Sequence, residues 1–565
     1  MRTAHPLRTL LVTMLVAWSH AAAAQQQQQP QQQQQHQYQQ PSRTGARRDG
    51  IDVVQYTFRV EFPDRAVPDT IRFTTTVVAL RTAGVERLRL DLVQAMRVDS
   101  ARVNGIRTPA VRAQDSLVVA LPKGTGDTVV VDVYYRGLPT DGLIIRRDTT
   151  LGWTAFGDNF PDRARQWLAV VDHPSDKALV EWDVIAPATH RVIANGALVE
   201  ETPIVSATTA RRVRTRWRTA RPIYTAVMVI GVAPFAVLEL GETACGLSEL
   251  PGCVRQSVWT SPAQRGAMPG HFSRAGDIVA LFSRLVGPFP YEKLAHVSSS
   301  TRYGGMENAG NIFYADKLFD NGGPGEGLIA HETAHQWFGD AVTEGEWPHV
   351  WLSEGFATYF AALWTEFAHG DSAFLRDMAT MRRQVLASPI TMTTPVINTE
   401  LADLRQVLNT NVYQKAGFVL HMLRREIGDS AFFTGIRSYY AAHRHGNALT
   451  GDLQMKFERA AGRPLQWFFT QWLNRPGIAE LQPTWQWDAV RRRLIVRVVQ
   501  SGAFPPYQLS LSVDVTDATG AVRRTRVSIP AQETAVLEVP LTLTAAPRGV
   551  VFDADVSILG RVATP

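Results

Sequence analysis

The spacing of apolar residues changes twice along this chain, and these changes limit what it can fold into. Over residues 51–240 apolar and polar side chains alternate, as at 56–62, which is the pattern of half-buried β-strands. Over residues 270–476 the apolar positions recur at helical spacing, and alternation returns at 509–515. We find no internal repeat. The order β, then α-rich, then β therefore predicts separate folded domains.

These boundaries predict a multidomain α+β protein, with an N-terminal antiparallel β-sandwich over residues 50–240, an α-rich domain over 241–475 and a small C-terminal β domain over 476–565. In the first domain, the predicted strands include Ile71–Leu80, Val129–Tyr135, Leu179–Ile185 and Val227–Val232. In the second, the predicted helices include Ile278–Leu285, Leu328–Phe338, Leu352–Trp364 and Val412–Leu423. The 45% hydrophobic share of the 565 residues is typical of globular proteins and excludes collagen-like, coiled-coil and wholly disordered chains.

The first 24 residues have the pattern of a cleaved export signal. Arg2 and Arg8 supply positive charge, residues 10–18 form a short apolar core, and Ala21–Ala24 offers a cleavage site with small residues. The core is too short to span a bilayer, which takes about 20 residues, and no other apolar run reaches that length. We therefore expect a soluble mature protein, periplasmic or secreted, with no stable membrane span after cleavage.

A polar, glutamine-rich tract follows the signal. Thirteen of the 16 residues at 25–40 are Gln, and such a composition cannot bury a core. We predict a disordered linker over residues 25–49.

The charge and the cysteine content limit the class of partner and the cellular compartment that we expect for this protein. The net charge is +6, but no basic stripe interleaved with aromatic residues occurs, so we expect no nucleic-acid partner. Cys245 and Cys253 are the two cysteines of the chain, and in an oxidising compartment they favour a disulfide across a small loop. The alternative is a pair of buried, unlinked thiols. The sequence assigns no oligomeric state.

The segment His331–His335 reads H-E-T-A-H within a helical pattern. Residues four apart share a helix face, so both imidazoles can reach one cation. Zinc suits two neutral imidazoles with a carboxylate, and Glu354, which follows the second histidine after 18 intervening residues, is a candidate third ligand. Its alternative role is a capping carboxylate at a helix N-terminus. Glu332 is placed to take a proton from a zinc-activated water, which predicts metal-assisted hydrolysis.

The segment Gly304–Asn308 reads G-G-M-E-N and completes a specific combination of motifs. Together with H-E-x-x-H-x18-E, it resembles the aminopeptidase N family of zinc peptidases, gluzincins related to leukotriene hydrolase. Gly305 departs from the family, which usually has Ala there. The resemblance implies a thermolysin-like fold for the α-rich domain and one zinc ion per chain, held by His331, His335 and Glu354.

The resemblance also implies roles for other residues. Glu332 would be the general base, and Glu307 would bind the free α-amine of the substrate. Main-chain and neighbouring groups of Gly304, Gly305, Met306 and Asn308 would bind the peptide. The segment 411–417 resembles the family's Y-x-K-G pattern, with Ala416 in place of Gly. This makes Tyr413 the predicted oxyanion stabiliser, although a lone Tyr on an apolar helix is more often part of a core.

One expected group is missing from its usual place. The segment Asp172–Ala178 is similar to the family's D-x-P-x-x-K pattern, and members commonly carry a second amine-binding Gln or Glu about a dozen residues earlier. Residues 155–160 contain neither, which leaves Asp158 or Asn159 as candidates.

These observations predict an exported zinc-dependent aminopeptidase that acts on peptides with a free N-terminus. An endopeptidase is the alternative within zinc enzymes, because thermolysin-like enzymes share H-E-x-x-H and the downstream Glu. A carboxylate at the position of Glu307 disfavours it, since it penalises substrates without a free amine. A degenerate peptidase retained as a binding protein is the alternative from another class, and such proteins usually lose a ligand or the base.

Overall fold

The computed structural model describes residues 50–63, 69–124, 126–148, 152–204, 211–248, 250 and 252–564. The predicted signal peptide and linker lie outside the described residues. In the part that is described, no helix combines the length and apolar character needed to cross a membrane.

The N-terminal domain is built on a large sheet whose strands follow the predicted alternation. In the first strand Tyr56, Phe58 and Val60 are buried while Arg59 is exposed. Neighbouring strands are antiparallel except that Ile51–Glu61 pairs in parallel with Lys177–Pro187. The strands in spatial order are Ala197–Ile204, Arg212–Arg218, Lys177–Pro187, Ile51–Glu61, Ile71–Arg81, Thr128–Gly137, Arg97–Val103 and Ile106–Thr108, and Ile223–Tyr224 pairs with the third of them.

Two smaller sheets complete this domain. One orders Arg191–Ala194, Ile230–Ala233, Gly152–Gly157 and Leu143–Asp148, and the other orders Arg87–Asp91, Ser116–Ala120 and Ala110–Ala113. The strand predicted at 227–232 is shorter and shifted, because residues 225–227 form a single helical turn before Ile230–Ala233. Trp167 and Trp182 stack in the core with ring centroids 5.8 Å apart.

The central domain opens with a sheet that the helical pattern did not predict. Its strands in spatial order are Ala236–Thr243, Val254–Thr260, Lys293–Ser299, Asn311–Ala315 and Gly305–Met306. The first of these strands crosses the boundary expected between residues 240 and 241, so the sheet begins inside the segment assigned to the sandwich. Cys245 and Cys253 form the predicted disulfide in the connection between its first two strands. The shortest strand, at 305–306, occupies one edge.

Helices cover most of the remaining central domain. Their bounds are Met268–His271, Ala275–Val286, Asp316–Asp320, Glu326–His335, Trp351–His369, Asp371–Ala387, Pro389–Thr393, Ala416–His443, Thr450–Ala461 and Gln466–Leu473. A short parallel pair joins Val342–Glu344 to Gly446–Ala448. The helix Glu326–His335, hereafter the motif helix, ends three residues before the predicted end. Gly339 has φ of 114° and turns the chain back there.

The C-terminal domain contains two sheets and confirms the predicted return to β-structure. One orders Thr534–Glu538, Arg493–Gln500, Ala479–Asp488 and Gly560–Val562, and the other orders Val522–Ile529, Leu509–Thr516 and Gly549–Phe552. Lys415 fixes the junction with the central domain, because its buried amine donates to the carbonyls of Arg475 and Gly477 at 3.4 and 3.0 Å.

Lys177 joins the N-terminal domain to the central domain. Its buried amine donates to the backbone carbonyls of Asp340, Ala341 and Gly446 at 2.8, 3.0 and 3.2 Å. Two of these carbonyls belong to the turn that follows the motif helix. Burial lowers the pKa of this amine to about 7, with Asp340 and Glu344 opposing the shift.

Replacing Lys177 by Met should lower the free energy of unfolding by roughly 1–3 kcal/mol, because three carbonyls lose the donation from its amine, while those of Asp340 and Ala341 still accept from Thr343 and His445. Urea unfolding followed by tryptophan fluorescence measures the change. Lys317→Met, at an exposed position, is the matched control and should unfold at the wild-type urea concentration. Equal midpoints for the two variants would contradict the assigned role.

Candidate active site

His331, His335 and Glu354 converge in a buried cleft of the central domain. The two Nε2 atoms are 3.2 Å apart, and the Oε2 atom of Glu354 lies 3.5 Å from that of His331 and 3.3 Å from that of His335. The motif helix supplies both histidines, one turn apart, and the helix Trp351–His369 supplies the carboxylate from its first turn. The carboxylate of Glu354 therefore points toward the two histidines and does not cap the helix N-terminus.

These three side chains fit a zinc ion. Their ligand atoms all lie within 4.8 Å of one another, and the buried Oε2 atom of Glu354 has no hydrogen-bond partner. Two imidazoles and one carboxylate form the donor set of catalytic zinc sites, in which a fourth position remains for water. The side chains that the sequence singled out as ligands are thus the ones that the fold brings together.

The charge of the cleft also suits a dication. Burial favours a neutral Glu354, but His335 and His331 hold the pKa of its carboxyl at about 2. Burial also disfavours a charged His335, yet Glu307 and Glu354 raise the pKa of that imidazole well above its usual range. The carboxylates and imidazoles therefore interact strongly across the cleft, as expected where a bound metal ion would take the place of protons.

Ser353 orients the second histidine. The Nδ1 atom of His335 lies 2.9 Å from the Ser353 hydroxyl and 3.1 Å from the carbonyl oxygen of Phe338. With the proton on Nδ1, the Nε2 lone pair is directed at the metal position, which is the usual function of such partners. No sequence pattern pointed to Ser353, because it acts through a contact with a residue 18 positions away.

Ser353→Ala should weaken zinc binding by about tenfold, the low end of the effect of losing such a partner, because the Phe338 carbonyl still accepts the Nδ1 proton. Competition with a chelating dye measures the zinc Kd directly. Ser283→Ala is the matched control, since its buried hydroxyl has no hydrogen-bond partner. A zinc Kd equal in the two variants would show that Ser353 does not position His335.

Glu332 and Glu307 face each other beside the metal position. Together with a nitrogen of His335, their carboxylates place ligand atoms within 4.8 Å of one another. Both are almost fully buried, at 2% and 6% exposure. Burial and the nearby Glu307 and Glu354 raise the pKa of Glu332 well above its usual range, with His335 opposing the shift. A carboxylate of raised basicity is suited to taking a proton from water.

The strand and loop around Glu307 are held from the motif helix. Gln336 donates to the carbonyl of Glu307 at 2.8 Å and accepts from the amide of Gly310 at 2.8 Å. Sequence reasoning missed Gln336, which directly follows the H-E-T-A-H segment and could have been examined for that reason.

The other residues of the G-G-M-E-N segment lie on and beside the edge strand. Gly305 and Met306 form this strand, and Gly304 precedes it. Asn308 is completely buried with neither amide atom hydrogen-bonded, so it has no surface for a substrate to contact.

Tyr413 reaches the cleft from a π-helical turn, Asn411–Lys415, a form of helix that is common at functional sites. Its hydroxyl donates to Oε1 of Glu354 at 2.7 Å, and its ring lies parallel to that of His331 at 6.1 Å. Burial and Glu354 raise the pKa of the phenol well above its usual range, so the hydroxyl stays protonated and can donate. Tyr413 is therefore a cleft residue and not only part of the core.

Neither candidate for a second amine-binding group offers a free side chain. The amide of Asn159 donates to the carbonyls of Thr225 and Met228 and accepts from Trp167, so it is committed to the scaffold. Asp158 is fully buried and lies 3.0 Å from the guanidinium of Arg163. Of the three residues considered for binding the substrate amine, Glu307 alone faces the metal position.

Comparison with known proteins agrees with this geometry. Residues 277–472 match the peptidase family M1 domain, and this region contains the G-G-M-E-N segment, the three predicted zinc ligands and Tyr413. The central region of this chain is therefore similar to the M1 domain of the aminopeptidase N family. An M1 zinc metallopeptidase from Deinococcus radiodurans is 25% identical and superposes with a TM-score of 0.65 over 76% of this chain and 94% of that one. An aminopeptidase A from Legionella pneumophila, solved with aspartic acid, is 14% identical, and it superposes with a TM-score of 0.77 over 91% of this chain and 60% of that one.

The curated relatives of this protein are longer than the regions that match. Aminopeptidase N of Streptomyces lividans is 34% identical over 204 residues, which are 33% of this chain and 23% of that protein. The tricorn protease-interacting factor F2 of Thermoplasma acidophilum is 26% identical over 422 residues, 69% of this chain and 49% of that protein. The chain thus spans at most about half the length of these two relatives.

Proposed function

We propose that this protein is an exported, zinc-dependent aminopeptidase that releases N-terminal amino acids from peptides. The observation that carries the proposal is the juxtaposition of Glu307 with Glu332 and His335 within 4.8 Å. A carboxylate at that distance can bind the substrate's α-ammonium while the first peptide bond lies beside the base. The Streptomyces lividans relative, which is named as an aminopeptidase N, supports the same activity.

Zinc bound by His331, His335 and Glu354 would polarise the attacking water and the scissile carbonyl. Glu332 takes the proton from that water and passes it to the leaving amine. The hydroxyl of Tyr413 turns from Glu354 toward the oxyanion that develops on the carbonyl and donates to it.

Substrate alignment rests on the edge strand Gly305–Met306. This strand pairs with Asn311–Ala315 on one side and ends the sheet on the other. Its outer edge, which pairs with no other strand among the described residues, can bind an extended peptide through main-chain hydrogen bonds, as sheet edges do in peptide recognition. Glu307 follows directly and closes the cleft beyond the first substrate residue, which supports removal of single residues.

The alternatives have specific difficulties. An endopeptidase would have to place a peptide bond where Glu307 demands a positive charge, at the cost of a buried, unpaired carboxylate. A binding protein derived from a peptidase needs neither Glu332 nor Tyr413, yet both are retained.

Export is supported by residues 1–24. Sequencing the N-terminus of protein recovered from outside the cytoplasm tests it: a start near residue 25 supports export, and an intact Met1 opposes it.

The activity is tested by digesting a decapeptide and its N-acetylated form with the zinc-loaded protein and following the products by mass spectrometry. We expect a ladder that shortens one residue at a time from the N-terminus of the free peptide, and no cleavage of the acetylated one. Internal fragments from both peptides would replace the proposal with an endopeptidase. Zinc binding without any cleavage would favour the binding protein.

A further inference from the structure

We propose that the N-terminal domain holds the amine-binding carboxylate of Glu307 in place, and that Asn195 is the positioning residue through which it does so. Asn195 is completely buried in the N-terminal domain, whereas Glu307 belongs to the central domain. The side-chain amide of Asn195 donates to the carbonyl of Ala309, two residues beyond Glu307, at 2.8 Å. The inference rests on the proposed function, which assigns Glu307 to the substrate amine, and adds a residue that acts on that site from another domain.

The loop that follows the edge strand and begins with Glu307 is held from two sides. On the side of the motif helix, Gln336 donates to the carbonyl of Glu307 and accepts from the amide of Gly310, both at 2.8 Å. On the other side, Asn195 holds the carbonyl of Ala309, which lies between these two points. Hydrogen bonds from two domains therefore fix the backbone that carries the Glu307 side chain.

Every hydrogen-bonding position of the Asn195 side chain is used, and this fixes the direction of its donor. Its Oδ1 atom accepts from the amide of Val229 at 2.6 Å and from the indole of Trp182 at 3.3 Å. Its Nδ2 atom donates to the carbonyls of Val227 and Ala309, both at 2.8 Å. Two acceptances and two donations are the full capacity of an amide. The side chain therefore cannot turn away from Ala309 without leaving buried partners unsatisfied.

The backbone of Asn195 is fixed as well. The strand Arg191–Ala194 ends directly before it and pairs with Ile230–Ala233. Gly196 follows with φ of 85°, and a Cβ atom there would lie 2.1 Å from the carbonyl oxygen of Arg218. Both the positive φ and this close approach of two backbone segments require glycine. The strand and the turn together therefore place Asn195 at a defined point opposite the loop.

Lys293 of the central domain strengthens the same junction. Its amine donates to the carbonyl of Ala194, the residue before Asn195, at 3.0 Å. The same amine donates to the carbonyl of Gly310 at 3.3 Å and to Oδ1 of Asn311 at 2.6 Å. The end of one N-terminal strand is thus linked to the loop and to the first residue of the strand that follows it.

Glu307 depends on this support because it lies close to another carboxylate. Its carboxylate and that of Glu332 place oxygen atoms within 4.8 Å of each other. Two carboxylates at that distance repel each other when both are ionised, and the ammonium group of a substrate offsets this only after binding. A loop released from Asn195 should therefore let Glu307 move away from the place where it binds the α-amine.

Asn195→Ala tests the proposal in the zinc-loaded protein, with Asn159→Ala as the matched control. Both asparagines are completely buried, accept from a tryptophan indole and donate to carbonyls of residues 225–228, but the side-chain hydrogen bonds of Asn159 stay within the N-terminal domain. We expect KM for free-amine aminoacyl-anilides to rise about tenfold in Asn195→Ala, less than for complete loss of the charge pair. In Asn159→Ala it should stay within about twofold of wild type. An unchanged KM in Asn195→Ala, or an equal rise in both variants, would overturn the proposal.

A double-mutant cycle with Glu307→Gln shows whether Asn195 acts through Glu307. Asn195→Ala should lower kcat/KM about fivefold less in the Glu307→Gln background than in the wild-type background, because the contact that it positions is already lost. Equal losses in the two backgrounds would refute action through Glu307.

Lys293→Met provides a second variant if Asn195→Ala does not fold. It frees the same loop and leaves the hydrogen bonds of Asn195 to residues 227 and 229 intact. KM for free-amine substrates should rise in Lys293→Met and stay at the wild-type value in Lys317→Met, the exposed control. Equal KM values in the two lysine variants would contradict the junction.

Crystal structures of Asn195→Ala and Asn159→Ala distinguish failure of this inference from failure of the proposed function. The loop from Glu307 to Gly310 should be displaced in the first variant and keep its wild-type position in the second. If the wild-type protein cleaves no peptide, the proposed function fails, while this comparison still decides whether Asn195 positions the loop. A loop that keeps its position in Asn195→Ala refutes the role, whatever the activity.

Discussion

Glu332→Gln should lower kcat by between about a hundredfold and ten-thousandfold, the range that a positioned general base contributes. The amide is nearly the same size as the carboxylate, so packing against Gly305 is preserved. It cannot take the proton from water, and it leaves the three predicted zinc ligands untouched. Steady-state hydrolysis of an aminoacyl-anilide measures kcat, and elemental analysis should give one zinc per chain in both proteins.

Glu326→Gln is the matched control for this prediction. It lies on the same motif helix, and its carboxylate accepts from Trp364 and pairs with His369 near the surface. Its kcat should stay within about twofold of wild type, as surface substitutions usually change little. If Glu332→Gln kept more than a tenth of the wild-type kcat with zinc bound, another group would have to be the base.

Glu307→Gln should remove most of the preference for a free α-amine. Losing one partner of a buried charge pair costs about 2–5 kcal/mol, which corresponds to a fall of roughly 30-fold to several thousandfold in kcat/KM. The fall should appear mainly in KM for free-amine substrates. Because Asp158 and Asn159 are committed to Arg163 and to the scaffold, neither of them can take over the binding of the amine.

The control for this variant is Asp316→Asn, which removes an exposed carboxylate beside the same sheet. Its ratio of kcat/KM for free and acetylated substrates should equal that of wild type. A Glu307→Gln enzyme with an unchanged ratio would mean that other groups recognise the amine.

The sequence predicted those parts of the fold that depend on local period. Alternation identified strands such as Ile71–Arg81, and helical spacing identified the helix Ala275–Val286. Whether two strands pair in parallel or antiparallel was harder to predict from the sequence, because the parallel pairing of the first strand depends on a partner more than a hundred residues away. The edge strand 305–306 is too short to show any period.

The same distinction holds for the site. His331, Glu332 and His335 lie on one helix, and the resemblance that identified Glu354 and Tyr413 named residues that the fold brings together. Ser353, Gln336 and Lys177 act through contacts between distant segments, and no spacing rule reports such contacts. Asn308 belongs to the motif by sequence, yet the turn after the edge strand buries it.

The most direct test of the central claim compares aminoacyl-anilides with free and with N-acetylated α-amines, using the zinc-loaded protein and Glu332→Gln as the blank. The account predicts cleavage of the free-amine substrates alone, lost in the blank, and a selectivity that falls in Glu307→Gln. Equal cleavage of the acetylated substrates by the wild-type protein would contradict the assignment of Glu307 and, with it, the identification of this cleft as that of an aminopeptidase.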